Sequence, residues 1–125
     1  MTKKILLSIL LTAVLTCTSS EAKVNTHQLA QLASKQAKLS KNITHNYLHK
    51  HISVQALFKE LELGQAQLKS TIKTPEISNL LKYLNLCVLN LKKVVNKPYN
   101  ADNALLVSDL GASLSEGNHY IAQSL

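Results

Sequence analysis

From about residue 25 onward, apolar residues recur every three or four positions, the spacing of a helix with one buried face. Pro75 follows Thr74, a favourable N-cap, and Pro98 ends the stretch that Pro75 opens. Strand-like alternation and glycine-rich phosphate loops are missing from the chain. The pattern predicts an all-α protein, an antiparallel four-helix bundle with short connections. The predicted helices cover residues 25–49, 53–71, 75–97 and 101–125.

The boundary between the first two predicted helices is the least marked one in the sequence. Residues 50–52 contain neither glycine nor proline, so a turn there depends on Ser53 acting as an N-cap. The alternative is one continuous helix over residues 25–71, which would give a domain of three helices.

The apolar stripes also predict the core. We expect Leu57, Leu84 and Leu114 to be buried, and Lys69 to be a solvated helix residue. Cys87 lies in an apolar run and is expected to be a small buried hydrophobic residue. Asn118 occupies an apolar stripe position, where it either fixes the helix register or is a polar residue near a fraying end.

Residues 1–22 have the layout of a secretory signal peptide. Lys3 and Lys4 precede the apolar run 5–15, and small and polar residues end at Ala22. We therefore predict cleavage after Ala22 and a mature domain of residues 23–125, periplasmic or secreted, with no membrane span. A lipoprotein modified at Cys17 is a second reading. Retention of the segment as an anchor is a third.

Charge and composition argue against two classes of function, nucleic-acid binding and catalysis. The chain has a net charge of +7, every basic residue is lysine, and aromatic residues make up 4%. Without arginine, and in an exported chain, we do not predict a nucleic-acid partner. No pair of acids and no serine or cysteine with an ordered histidine marks a catalytic site. We predict a protein that is not an enzyme and needs no cofactor.

The segment 32–41, with Tyr47 and Leu48 after it, resembles the opening of the periplasmic N-terminal domain of type IV pilus methyl-accepting chemotaxis transducers. The same module occurs in nitrate/nitrite sensor kinases of the NarX type. The matching positions are Leu32, Ala33, Lys35, Gln36, Leu39 and Ser40. The departures are Ser34, Ala37, Lys38 and Lys41. Phe58, Leu61 and Gly64, and then Pro75 and Ile77, also look like that family.

This resemblance implies a sensor input domain that binds a small ligand or a membrane receptor. In the nitrate sensors, an arginine of the first helix clamps the anion across a dimer axis, and the position matching it is Ala37. Lys35 or Lys38 would then supply the positive charge. We predict a ligand or partner surface on the first helix, across a homodimer axis, with a small anion as one possible ligand. Its residues are Lys35, Gln36, Lys38 and Ser40.

Histidines suggest an alternative function. His45 and His49 are four residues apart, so on a helix they share a face, and His51 follows at the predicted turn. Such a cluster can ligate Zn²⁺ or Cu²⁺. The alternative prediction is a periplasmic metal-binding protein that uses these three histidines.

Overall fold

The computed structural model describes residues 25–50 and 54–125. The predictions of a signal peptide in residues 1–22, of cleavage after Ala22 and of lipidation at Cys17 lie outside these residues. Ser53 and His51 lie outside them as well.

Four α-helices account for most of the described chain, as the apolar spacing predicted. They are α1 (Thr26–His45), α2 (Gln55–Thr71), α3 (Pro75–Val95) and α4 (Ala101–Ser124). Asparagine side chains cap two of them. Asn25 accepts hydrogen bonds from the backbone N–H groups of His27 and Gln28, and Asn100 accepts one from that of Asn103.

The helix ends depart from the sequence prediction in three places. A π-helical turn, Asn46–Lys50, continues α1, which widens the helix before it ends. Helix α2 starts at Gln55, later than predicted, and its N-cap is Val54, whose side chain makes no capping bond. Thr74 does precede α3, but its hydroxyl does not cap the helix either; Pro75 supplies the fixed first-turn geometry. Because the helix that begins at Thr26 and the helix that begins at Gln55 are separate elements, the alternative of one continuous helix over residues 25–71 is wrong.

Neighbouring helices run antiparallel around the bundle. Thr44, near the end of α1, lies against Gly111 in the first half of α4, whereas the start of α1 lies beside the last turns of α4. Between α2 and α3, Lys92 Nζ is 3.3 Å from Glu62 Oε2. Helix α1 packs against both α2 and α4, and α3 closes the bundle on the other side.

The buried stripes of the four helices meet in one apolar core. Leu84 and Leu114 have no exposed surface, and Cys87 is buried, as predicted. Leu57, predicted on the buried stripe, does pack against the core but is only half-buried at its margin, so it is less buried than Leu84 and Leu114. Lys69 is exposed, as predicted. In the parts of the chain that the structure describes, no helix is long and apolar enough to cross a membrane.

Candidate functional site

A groove of about 560 Å³ runs along the outer surface between the start of α1 and the end of α4. Its floor is made of small, half-buried side chains, those of Ala30, Ser34 and Ala122. Larger polar and basic side chains, at the flanking positions of the two helices, form its walls. The wall residues are His27, Gln31, Lys35, Lys38, His119 and Gln123.

The groove is basic and open to solvent. Two lysines and two histidines surround it, and none of its lining residues, all within the described chain, is acidic. Lys35 Nζ lies 3.4 Å from Glu60 Oε2, but these side chains are 52% and 46% exposed, so the pair is weak. Nothing holds Lys35 rigidly away from the groove.

The four residues predicted as one site on the first helix do not lie together. Lys35 and Lys38 are exposed and line the groove, whereas Gln36 and Ser40 are buried inside the bundle. Successive residues of an α-helix point in directions about 100° apart, so Gln36 faces the core when Lys35 faces solvent. Of the four predicted site residues, only the two lysines are available to a ligand in the groove.

Inside the bundle, three amide side chains from three helices meet. Gln36 Nε2 donates to Leu61 O at 2.7 Å and to Gln65 Oε1 at 3.0 Å. Asn118 Nδ2 donates to the same Gln65 oxygen at 2.8 Å and to Leu114 O at 2.9 Å. Asn118 is fully buried and bonded across the bundle to Gln65 of α2, which supports its interpretation as a register residue. We call Gln36, Gln65 and Asn118 the amide cluster.

Two helical glycines allow close contact of α1 with its neighbours, one at the amide cluster and one at Thr44. A Cβ atom on Gly64 would collide with the Gln36 side-chain amide. On the other side of α1, a Cβ atom on Gly111 would collide with the Thr44 hydroxyl. Both glycines lie within helices, where they cost stability relative to alanine, and close helix contact is the reason they fit.

Two polar atoms of the amide cluster have no hydrogen-bond partner among the described residues. They are the donor Gln65 Nε2 and the acceptor Asn118 Oδ1. Their burial reduces the net stability that the cluster contributes, since an unpaired buried polar group costs about 1–3 kcal/mol. The four hydrogen bonds of the cluster and these two unpaired atoms therefore act in opposite directions on stability.

Ala37, the position that the resemblance aligns with the arginine of the nitrate sensors, is a buried residue of α1. It is 8% exposed and packed within the bundle. An arginine in its place would have to enter the core, where an unpaired guanidinium is strongly unfavourable. An arginine clamp at this position would therefore require the helices around residue 37 to repack.

The histidines among the described residues form two separate groups. His27 and His119 lie across the groove from each other, on α1 and α4. His45 and His49 are exposed at the far end of α1, with ring centroids 4.7 Å apart. Among the described residues, no group of three histidine, cysteine or acidic side chains is placed to hold a metal ion.

The buried reactive groups are poor candidates for chemistry. Burial raises the pKa of the Cys87 thiol, while a hydrogen bond with Tyr83 lowers it by less, so the nucleophilic thiolate is disfavoured. Burial, together with nearby Tyr99, also raises the pKa of the Tyr47 hydroxyl. Neither group lines the groove.

Sequence reasoning missed His27, Gln31, His119 and Gln123. The signal was present, because positions 27, 31, 34 and 38 fall on one side of a helix, as do 119 and 123. What was lacking was the knowledge that α1 and α4 are neighbours.

The chain matches no protein-family model, no curated protein and no solved structure.

Proposed function

We propose that this protein is a non-enzymatic, exported binding module that holds a multiply charged anion in the basic groove between α1 and α4. The observation that supports this most is the grouping of Lys35, Lys38, His27 and His119 around the groove without an acidic residue among them. The sequence resemblance to sensor input domains supports the same class of function. The anion is either a free small molecule or an acidic segment of a receptor.

The ligand must carry several negative charges because both lysines of the groove are exposed to solvent. A single surface ion pair contributes about 0.2–1 kcal/mol, so a monovalent ion such as nitrate gains little in this groove. A ligand with several carboxylate or phosphate groups reaches both lysines and a histidine at once, and the small contributions add. Its affinity should fall steeply with salt, because exposed charges are screened within about 10 Å at 0.1 M ionic strength.

Size also favours such a ligand. Small-molecule sites typically have volumes of about 300–1,000 Å³, and the groove, at about 560 Å³, falls in this range. The small floor residues Ala30, Ser34 and Ala122 let a ligand approach the helix backbones. Gln31 and Gln123 add neutral hydrogen-bond donors and acceptors on the walls.

A second copy of the chain offers one acidic segment of this kind. Helix α4 exposes Asp102, Asp109 and Glu116 at seven-residue spacing, and none of the three forms an ion pair within the described chain. This charge pattern favours the predicted homodimer through α1. Sedimentation velocity at low and high salt checks it: a dimer that separates as salt rises is expected, and a monomer at low salt contradicts the dimer.

Isothermal titration calorimetry tests the groove directly. We expect citrate, with three carboxylates, to bind the purified protein measurably at low salt and nitrate to bind far more weakly. The double variant Lys35→Gln and Lys38→Gln should lose citrate binding. The matched control, Lys82→Gln and Lys93→Gln, removes the same charge from exposed positions of α3 and should keep it. Equal loss in both variants would show only a general charge effect and would contradict the proposal.

A further inference from the structure

A pair of histidines lies outside the groove, where α1 passes into the π-helical turn. His45 is the last residue of α1, and His49 is the fourth residue of the turn Asn46–Lys50. Both side chains are exposed, and their rings lie close together. We infer that His45 and His49 form a surface site for one divalent ion of the later first-row transition metals, with Cu²⁺ bound most tightly.

Ring separation is the observation that carries this inference. With metal–nitrogen bonds of about 2.0–2.1 Å, two histidine rings sharing one ion have centroids about 4.5 Å apart at a right angle and about 5.2 Å apart at the tetrahedral angle. The observed separation is 4.7 Å. The ring centroids therefore lie within the range that a shared ion requires, and binding needs the exposed side chains to turn so that one nitrogen of each ring faces the ion.

His49 stays on the same side of the helix as His45 although it lies in the π-helical turn. An α-helix has 3.6 residues per turn, so residues four apart share one face. A π-helical turn contains more residues per turn, and residues four apart along it also remain on one side. Short π-helical stretches occur often at functional sites, and this one contains one of the two ligands.

Ligand chemistry decides which ions the site takes. Two neutral imidazole nitrogens suit Cu²⁺, Ni²⁺ and Zn²⁺, whereas Mg²⁺ and Ca²⁺ prefer oxygen ligands. No third histidine, cysteine or acidic residue in the described ranges completes the site, so the two imidazoles are the ligands that those ranges supply. Two-ligand binding is moderate in strength, and the order of affinity should follow Cu²⁺ above Ni²⁺ and Zn²⁺.

Nearby charge weakens the site. Lys41 is exposed on α1 one turn before His45, and no ion pair neutralises it within the described chain. Its positive charge repels a divalent ion. Replacing Lys41 with glutamine should therefore tighten binding, an effect that a site elsewhere on the molecule would not show.

Titration of the purified protein with CuCl₂, NiCl₂ and ZnCl₂ tests the inference, with electron paramagnetic resonance of the Cu²⁺ form to count bound nitrogens. We expect one Cu²⁺ per chain, two coordinating imidazoles, and a loss of affinity of about tenfold or more in each of His45→Gln and His49→Gln. Both histidines are exposed, so the variants should fold, and their melting temperatures check this. The metal salts add only chloride, which is monovalent, so failure here leaves the proposal of a multiply charged anion in the groove untouched.

His51→Gln serves as the comparison variant for the residue beyond the described turn. Unchanged binding in His51→Gln supports a site of two histidines, and a three-nitrogen signal that drops to two contradicts it. Cu²⁺ binding that persists at full strength in the double variant His45→Gln and His49→Gln would overturn the inference, since the ion would then be held elsewhere.

Discussion

On the side of α1 that faces the bundle, Gln36 and Ser40 are buried and hydrogen-bonded, whereas on the opposite side Lys35 and Lys38 are exposed and line a groove. The inner residues contact other helices through fixed bonds of 2.7–3.0 Å or bond back to their own helix. Of the two outer residues, Lys35 forms one weak ion pair, with Glu60 of α2. One short segment thus serves the fold on one side and offers charge on the other.

This difference predicts which substitutions each side of α1 tolerates. A buried amide must keep its partners, because a lost partner leaves an unpaired polar group away from water. An exposed lysine loses almost nothing when it changes partner or is replaced. Substitutions on the inner side should therefore change stability, and substitutions on the outer side should change binding alone.

The largest loss of stability is expected in the apolar core that surrounds the amide cluster. Leu84→Ala and Leu114→Ala each remove a side chain with no exposed surface. Each should cost about 2–5 kcal/mol through lost burial and a residual cavity. Urea unfolding measures this, and a cost below that of an exposed-residue variant would contradict the core assignment.

Next in size is the coupling between Gln36 and Gly64. Gly64→Ala alone should destabilise the protein by about 1 kcal/mol, because the new methyl group displaces the Gln36 amide from its two acceptors. In a Gln36→Ala background the obstacle is gone, and the same change should stabilise the helix by up to about 1 kcal/mol. A double-mutant cycle measures this reversal of sign. Equal effects in both backgrounds would show that the two residues do not interact.

Smaller effects are expected at the margin of the bundle. Leu57→Ala should cost about 1–2 kcal/mol, less than the core leucines, because Leu57 is only half-buried. Lys69→Ala should change the free energy of unfolding by less than about 0.5 kcal/mol. Thermal melts of these two variants beside Leu114→Ala rank them, and Lys69→Ala as the most damaging of the three would refute the burial pattern.

Much of the fold was predictable because the apolar spacing that marks each helix is a local pattern in the sequence. The apolar spacing and Pro75 at a helix start both act within a few residues. The π-helical turn had no such signal, and it arises where α1 runs on without glycine or proline. The depth of Leu57 depends on which helices surround it, which periodicity does not specify.

The candidate site was predictable only in part, for a geometric reason. The lysines of the groove were identified, but Gln36 and Ser40 were placed with them because they are close in sequence. Neighbours on a helix face different directions, and only the packing partner of each side decides its role. The opposite wall of the groove, on α4, lies about 80 residues away in the chain, so it became visible only in the folded structure.

Thermal shift with citrate tests the central claim most directly, because it reads stability and binding in one experiment. At low salt, citrate should raise the melting temperature of the protein and of the Lys82→Gln, Lys93→Gln control. The variant Lys35→Gln, Lys38→Gln should melt at the same temperature as the unchanged protein without citrate and should show no shift with it. A full citrate shift in that variant, or a large loss of its basal stability, would contradict the division of α1 into a structural side and a binding side.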